Sequence, residues 1–180
     1  MSNGQPQVFD AAEFAAWTGG DAQALPTTFR GVTQDTRQVT PGCLYVALRG
    51  ERFDGHDFVA QAFQKGAVAA LVEKAWRAPE EAVGWPLIRV SDTRRALAEA
   101  ARAWRLRQTA RIVGITGSSG KTTVKEMTAA LCSGGGPVCA TRGNLNNEIG
   151  LPLSLLTLGA ETVYGIFEVG TNHPGEIAGL

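Results

Sequence analysis

A glycine-rich stretch in the second half of the sequence could bind phosphate. Its residues are Gly117, Ser118, Ser119, Gly120, Lys121, Thr122 and Thr123, and they follow an apolar run, residues 112–115, that predicts a buried strand. Glycines let backbone N–H groups turn toward an anion, and the helix predicted from about Thr122 adds the positive end of its dipole. We expect Lys121 to reach the outer phosphates of a nucleotide and the Thr122 hydroxyl to bind Mg²⁺. The alternative is a glycine-rich turn with a solvated lysine.

An acidic residue ends a later apolar run and could complete a magnesium site. Residues 162–167 predict a strand, and Glu168 follows them. Because Mg²⁺ must bridge phosphate oxygens and a hard oxygen ligand of the protein, we expect Glu168 to bind the metal and to act in catalysis. The alternative is an exposed glutamate at a strand end. Asn172 and His173 follow closely, and His173 is either a metal or phosphate contact or a structural residue.

Three asparagines form an amide-rich loop after another predicted strand. They are Asn144, Asn146 and Asn147. Side-chain amides in a ligand crevice suit recognition of a neutral polar group of a substrate, although asparagines in a loop can also stabilise turns. The other histidine, His56, is expected to fix a loop rather than to react.

The elements that would position these residues alternate between strand and helix from Arg111 onward, which predicts a doubly wound, mainly parallel sheet. The polar clusters lie at the carboxyl ends of its strands, where ligands bind in such sheets. Before this region the chain mixes short strands and helices and closes near a Gly-Trp-Pro turn. We therefore predict an α/β protein with domains at residues 1–85 and 86–180. In the helix after the phosphate loop, Val124, Met127 and Leu131 are predicted to face inward.

Composition excludes several classes of protein. Lysine plus arginine number 17, as do aspartate plus glutamate, so the chain has no net positive charge that would attract nucleic acid. We interpret the arginines of residues 94–105 as a solvated helix face. The three cysteines form no Cys-x-x-Cys pair, which indicates reduced thiols and a cytoplasmic protein. The first residues lack the basic and apolar regions of a secretory signal, and no run approaches the length of a membrane span, so we expect a soluble, intracellular protein. We expect a monomer.

Three stretches together resemble the Mur ligases of peptidoglycan synthesis. They are residues 114–127, 143–152 and 168–177. The first portion also resembles that family's amino-terminal domain, which receives the UDP-sugar end of the substrate; the matching runs are residues 35–37, 41–42, 45–50 and 54–56. The phosphate loop alone marks only a wider superfamily that includes folylpolyglutamate synthetase. The asparagine loop and the run from Glu168 to His173 narrow the resemblance to one ligase of the family.

The resemblance implies an ATP- and Mg²⁺-dependent ligase that joins D-alanyl-D-alanine to UDP-N-acetylmuramoyl tripeptide through an acyl phosphate. It implies that residues 1–85 bind the UDP-sugar, with Thr36 and Arg37 at the substrate, and that residues 86–180 begin the ATP-binding central domain. Relatives often carry serine in place of Thr36, so the hydroxyl is kept. Lys121, Glu168 and His173 are the expected catalytic residues, and Asn172 is expected near the nucleotide.

Two other functions fit the same motifs. One is the neighbouring ligase that adds the third amino acid of the peptide stem, and the other is a noncatalytic module that binds a nucleotide or UDP-sugar without turnover.

Members of the family extend well beyond 180 residues and carry a further domain that binds the incoming amine. We therefore expect the 180 residues to be inactive as a ligase on their own.

Overall fold

The structure is a computed structural model that describes residues 6–50 and 53–170. The chain forms two compact units, one made of Val8–Ala100 and the other made of the residues from Ala101 onward together with the short stretch before Val8. Each unit has its own sheet and its own buried core, so each is described by itself. The α/β class expected from the sequence is confirmed in both.

The first unit is built on a five-stranded sheet. Its elements are β1 (Val8–Asp10), α1 (Ala11–Thr18), β2 (Asp21–Gln23), β3 (Thr28–Arg30), β4 (Val32–Thr33), β5 (Leu44–Val46), α2 (Val59–Gln64), β6 (Ala69–Glu73), β7 (Leu87–Val90) and the start of α3 (Thr93–Leu106). The sheet order is β2-β7-β6-β5-β4, in which β4 to β7 are parallel and β2 is antiparallel to β7. β1 and β3 form a separate antiparallel pair. Apolar runs such as Leu44–Val46 are buried because both faces of this sheet are covered.

The predicted boundary between residues 85 and 86 falls too early. β7 pairs with β6 on one side and with β2 on the other, so it completes the sheet of the first unit. The first unit continues to Ala100, inside α3. A short apolar strand after a turn has the same sequence pattern whether it closes one sheet or opens the next, and only its pairing distinguishes the two.

A buried histidine network ties the loop before α2 to β6. His56 is only 3% exposed, and its Nε2 accepts a hydrogen bond from the Glu73 backbone N–H at 2.9 Å. Nδ1 therefore carries the ring proton and donates to Asp54 Oδ1 at 2.6 Å. Arg49 Nε donates to the other Asp54 oxygen at 3.0 Å. Both ring nitrogens are engaged, so His56 fixes the loop, as expected from the sequence.

The second unit has a parallel sheet of three strands. Its described elements are the end of α3, β8 (Arg111–Ile115), α4 (Lys121–Cys132), β9 (Val138–Ala140), α5 (Gly150–Leu155) and β10 (Tyr164–Glu168). The order is β8-β10-β9, with β10 between the other two. Its core contains Ala110, Leu151, Leu158 and Phe167. This order brings the carboxyl ends of β8 and β10 side by side.

The face of α4 that was predicted to be buried is exposed. Val124 is 49% exposed, Met127 62% and Leu131 81%, whereas Lys125 is buried at 3%. The apolar stripe and the inward stripe of this helix are therefore different, and the prediction that Met127 belongs to the core is wrong. The helix begins over the polar ends of the strands, and there a lysine with anionic and carbonyl partners faces inward.

Two negative findings concern the described residues only. None of their helices is both long and apolar enough to cross a membrane. The three cysteines, all within the described ranges, form no disulfide. Burial raises the pKa of the Cys43 and Cys139 thiols, which keeps both in the unreactive protonated form.

Candidate functional site

The loop between β8 and α4 turns at two glycines. Gly117 and Gly120 have positive φ angles of 148° and 77°, which residues other than glycine rarely adopt. α4 begins directly after Gly120, and no side chain of the described residues caps its first turn. The N–H groups at that end remain available to a ligand, and the helix dipole favours an anion there.

Lys121 lies over this loop. Its Nζ donates a hydrogen bond to the Gly117 carbonyl oxygen at 2.6 Å, which places the ammonium group beside the turn rather than in bulk solvent. Thr122 is the second residue of α4, and its side chain is exposed. The loop, the lysine and the threonine hydroxyl are therefore grouped at one end of the helix, as the sequence predicted.

Glu168 is the last residue of β10 and lies opposite Ile115, the last residue of β8. The Val169 N–H donates to the Ile115 carbonyl at 2.8 Å, which fixes this register just where the phosphate loop begins. Glu168 is 2% exposed, so the alternative of an exposed strand-end glutamate is wrong. Its Oε1 atom accepts no hydrogen bond from the described residues. Burying a carboxylate oxygen without a hydrogen-bond donor is costly, and coordination of a metal ion would offset that cost.

Sequence reasoning missed two residues that surround Glu168. Lys125 Nζ lies 3.3 Å from Glu168 Oε1, close enough for an ion pair but without hydrogen-bond geometry. The same ammonium donates to the Thr141 carbonyl at 2.9 Å, and the Thr141 hydroxyl accepts from the Glu168 N–H at 2.9 Å. The sequence did contain a sign of a nearby anionic group, because Lys121 and Lys125 are four residues apart on one helix face. Two cations at that spacing repel each other unless an anion lies nearby.

The asparagine loop lies next to the end of β10. The Gly170 N–H donates to the Asn146 carbonyl at 2.7 Å, and a Cβ atom at position 170 would lie 3.1 Å from Asn146 Oδ1. The Asn147 side chain accepts from the N–H groups of Ile149 and Gly150 and so stabilises the start of α5. Asn144 is exposed. Turn stabilisation thus accounts for Asn147, while substrate binding by the three asparagines stays a prediction.

Thr36 and Arg37 belong to the first unit, in the turn after β4. Arg37 makes a two-pronged ion pair with Asp35, with its Nη2 2.7 Å from Oδ2 and its Nε 2.9 Å from Oδ1. The side-chain hydrogen bonds from Arg37 lower the pKa of Asp35. Lys65 Nζ donates to the Thr36 carbonyl at 2.9 Å and so braces the turn from α2. The Arg37 side chain is 85% exposed, so its remaining donors face solvent.

Asn172 and His173 lie outside the described residues. Among the residues that the structure does describe, no group of three or more histidine, cysteine, aspartate or glutamate side chains could enclose a metal ion. A metal here would instead share its ligands with a phosphate, as Mg²⁺ does in nucleotide sites. Glu168 Oε1, which accepts no hydrogen bond from the described residues, and the Thr122 hydroxyl are hard oxygen donors, so the residues present fit Mg²⁺.

Two family models match the chain. The model of the Mur ligase family, catalytic domain, matches residues 28–105, and that of the Mur ligase middle domain matches residues 115–180. The two matches divide the chain close to where its compact units divide. The phosphate loop and Glu168 lie within the middle-domain match.

Individual relatives agree with the models. The UDP-N-acetylmuramoyl-tripeptide--D-alanyl-D-alanine ligase of Escherichia coli is 52% identical over 159 residues, which are 88% of this chain and 34% of that protein. A crystal structure of MurF from Acinetobacter baumannii superposes with a TM-score of 0.87 at 37% identity, covering 97% of this chain and 38% of that one. The MurF ligase of Thermotoga maritima in complex with ADP gives a TM-score of 0.70 at 35% identity, covering 83% and 34%.

The chain spans about a third of the length of the curated relatives it matches. Both units are accounted for by one family, since the two models together include the turn at Thr36 and Arg37, the phosphate loop and Glu168. The resemblance predicted from the sequence motifs is confirmed. The chain belongs to the Mur ligase family.

Proposed function

We propose that the protein containing this chain joins D-alanyl-D-alanine to UDP-N-acetylmuramoyl tripeptide, using ATP and Mg²⁺. The observation that carries the proposal is the buried Glu168 carboxylate, which lies at the strand end adjoining the phosphate loop and whose Oε1 accepts no hydrogen bond from the described residues. The choice of substrates is supported by the names of the relatives, which describe ligases for this tripeptide and dipeptide.

The residues of the second unit would bind and orient ATP. The N–H groups of the loop and of the first turn of α4 would hold the phosphates, and Lys121 would exchange its contact with the Gly117 carbonyl for the outer phosphates. Thr122 and Glu168 would hold Mg²⁺, which supplies charge neutralisation at the transferring phosphoryl group. These groups position and neutralise, and none of them forms a covalent bond with the substrate.

The reaction has two steps. In the first, a carboxylate oxygen of the tripeptide attacks the γ-phosphorus of ATP, the bond to the β-phosphate oxygen breaks, and ADP leaves. In the second, the amine nitrogen of D-alanyl-D-alanine attacks the acyl carbon, phosphate leaves with the carboxylate oxygen, and the nitrogen loses a proton. His173 and Asn172 are proposed to contact the phosphoryl group or its metal.

The turn at Thr36 and Arg37 is proposed to bind the UDP-sugar. The Asp35 carboxylate holds the Arg37 guanidinium in one orientation while its remaining donors face solvent. A fixed guanidinium suits a diphosphate, since its geometry matches phosphate oxygens. Asn144, Asn146 and Asn147 would recognise the amides of the peptide stem. We propose further that the protein acts in the cytoplasm as a monomer.

The test uses the full-length product of the gene that encodes these residues. It is incubated with ATP, Mg²⁺, UDP-N-acetylmuramoyl tripeptide and D-alanyl-D-alanine. A phosphate assay measures the phosphate released, and mass spectrometry measures the pentapeptide product. We expect product only when all four components are present. Product formed with a single amino acid in place of the dipeptide would contradict the proposal.

The matched variant is Lys121→Ala. Loss of the lysine should lower turnover by about 1,000-fold, because the charge on the transferring phosphoryl group is no longer balanced. Arg107→Ala, a change in an exposed basic residue after α3, is the control for a lost surface charge. Unchanged turnover in Lys121→Ala would remove the phosphate loop from the mechanism.

A further inference from the structure

Lys125 has no role in the site proposed so far, yet it is among the most buried charged residues described. It is 3% exposed, on the same face of α4 as Lys121 and one turn further along. Burying a lysine is unfavourable unless its charge is balanced and its N–H groups have partners. Its position therefore calls for an explanation in terms of what its ammonium group contacts.

Among the described residues, three oxygens surround the ammonium of Lys125. They are the Thr141 carbonyl at 2.9 Å, Glu126 Oε1 at 3.0 Å and Glu168 Oε1 at 3.3 Å. Glu126 is half exposed, so solvent screens its contribution. Glu168 is buried like Lys125 itself, and between two buried charges the interaction is screened far less.

The contacts converge on the orientation of Glu168. The Thr141 hydroxyl accepts from the Glu168 backbone N–H, and the Thr141 carbonyl accepts from Lys125. The backbone of Glu168 and its carboxylate are thus held from the same point at the end of β9. Since Oε1 accepts no hydrogen bond from the described residues, the ion pair is the contact that directs this oxygen.

We propose that Lys125 is a positioning residue that acts through Glu168, holding its carboxylate where Mg²⁺ binds with the nucleotide. The inference rests on the proposed function, because it assumes that Glu168 is the metal ligand. Residues that orient a metal ligand without touching the metal change metal affinity by about 10- to 100-fold when they are removed. Lys125 also repels a cation, and this effect works in the opposite direction.

The experiment measures metal binding without turnover. The full-length protein is titrated with Mn²⁺ in the presence of ADP, and free Mn²⁺ is followed by electron paramagnetic resonance. Lys125→Met keeps the length of the side chain and removes its charge, and we expect it to weaken Mn²⁺ binding at least about tenfold. Lys125→Arg should recover part of the affinity. Glu126→Gln is the matched control, because it removes the exposed partner of the same ammonium and should change affinity by less than about twofold.

A double variant tests whether Lys125 acts through Glu168. In the Glu168→Gln background no carboxylate remains to be oriented, so adding Lys125→Met should cause little further loss of Mn²⁺ affinity. A full additional tenfold loss would mean that Lys125 acts through Thr141 and would overturn the proposal. Tighter Mn²⁺ binding in Lys125→Met would overturn it as well, because repulsion would then dominate.

Failure of the site and failure of the inference give different results. If Glu168→Gln binds Mn²⁺ and ADP as well as the wild type does, the proposed metal site is wrong. If Glu168→Gln loses the metal while Lys125→Met retains it, only the role of Lys125 is wrong. Thermal unfolding of every variant shows whether it folds. Should Lys125→Met not fold, Lys125→Gln decides, since wild-type Mn²⁺ affinity without the charge contradicts a positioning role.

Discussion

The two units each bury an ionisable cluster, and the clusters differ in how completely their polar atoms are paired. Around His56 both ring nitrogens are hydrogen-bonded, and both oxygens of Asp54 have partners. Around Glu168 one buried oxygen accepts no hydrogen bond from the described residues, although a lysine lies beside it. A complete network stabilises a fold, whereas an incomplete one retains capacity for a ligand. The difference separates a structural cluster from a candidate site within one chain.

The largest expected effect tests the incomplete cluster. Glu168→Gln keeps the size of the side chain and removes its charge, and we expect turnover to fall by about 10²- to 10³-fold because the metal is no longer held. Turnover of the full-length protein is measured over a range of Mg²⁺ concentrations. The comparison fails if turnover is unchanged while the protein loses stability, since Glu168 would then be a structural residue too.

The next effect tests the complete cluster. His56→Ala leaves the Glu73 N–H and the Asp54 carboxylate without their partner and opens a cavity, so we expect the free energy of unfolding to fall by about 3 kcal/mol. Urea denaturation measures it. Lys74→Ala, which removes an exposed ion pair with Asp21, is the control and should cost less than about 1 kcal/mol. A large loss of turnover in folded His56→Ala would assign the histidine a catalytic role.

A smaller effect concerns how the free energy of unfolding depends on pH in acid solution. Burial raises the pKa of Asp54. Hydrogen bonds from the His56 N–H, the His56 ring and Arg49 lower this pKa by more than burial raises it, so the pKa of Asp54 lies below its ordinary value of 3.8. The stabilisation is therefore present above pH 3.8 and is lost as pH falls through the lower folded-state pKa. Asp54→Asn should cost about 1 kcal/mol near neutral pH and reduce the acid dependence of unfolding. An acid limb that keeps its slope would show that Asp54 does not contribute to it.

The smallest effect concerns the exposed face of α4. Leu131→Ser should change the free energy of unfolding by less than about 0.5 kcal/mol, because the side chain is 81% exposed. Chemical denaturation of the full-length protein measures the change. A loss well above that value would mean that another part of the protein covers this face.

Sequence patterns predicted the glycine-rich turn before α4 and the strands around it because these depend on local features. Gly117 and Gly120 take the positive φ angles that such a loop needs, and the apolar run of residues 112–115 forms most of β8. The prediction that this strand is buried is wrong, because each of its residues is partly or fully exposed in the described structure. The role of His56 was also predicted correctly. Each of these features can be read from a few neighbouring residues.

The orientation of α4 could not be read in the same way. Helical periodicity groups Val124 with Met127 and Leu131, but it does not state which stripe of a helix meets the protein. The inward stripe here contains Lys125, because its ammonium meets Glu168 and Thr141, which are distant in sequence. The division near Ala100 was missed for a similar reason, since β7 is assigned by its pairing partners and not by its residues.

The hydrogen bond from the Gly170 N–H to the Asn146 carbonyl has a use in spectroscopy. It joins the residues that follow β9 to those that follow β10, beside the carboxylate of the proposed metal site. Glycine amides resonate in a sparsely populated region of a nitrogen–proton correlation spectrum, so the Gly170 signal is readily followed. Its chemical shift and its rate of hydrogen exchange would report the arrangement of both strand ends when a nucleotide is added, with no label placed in the site itself.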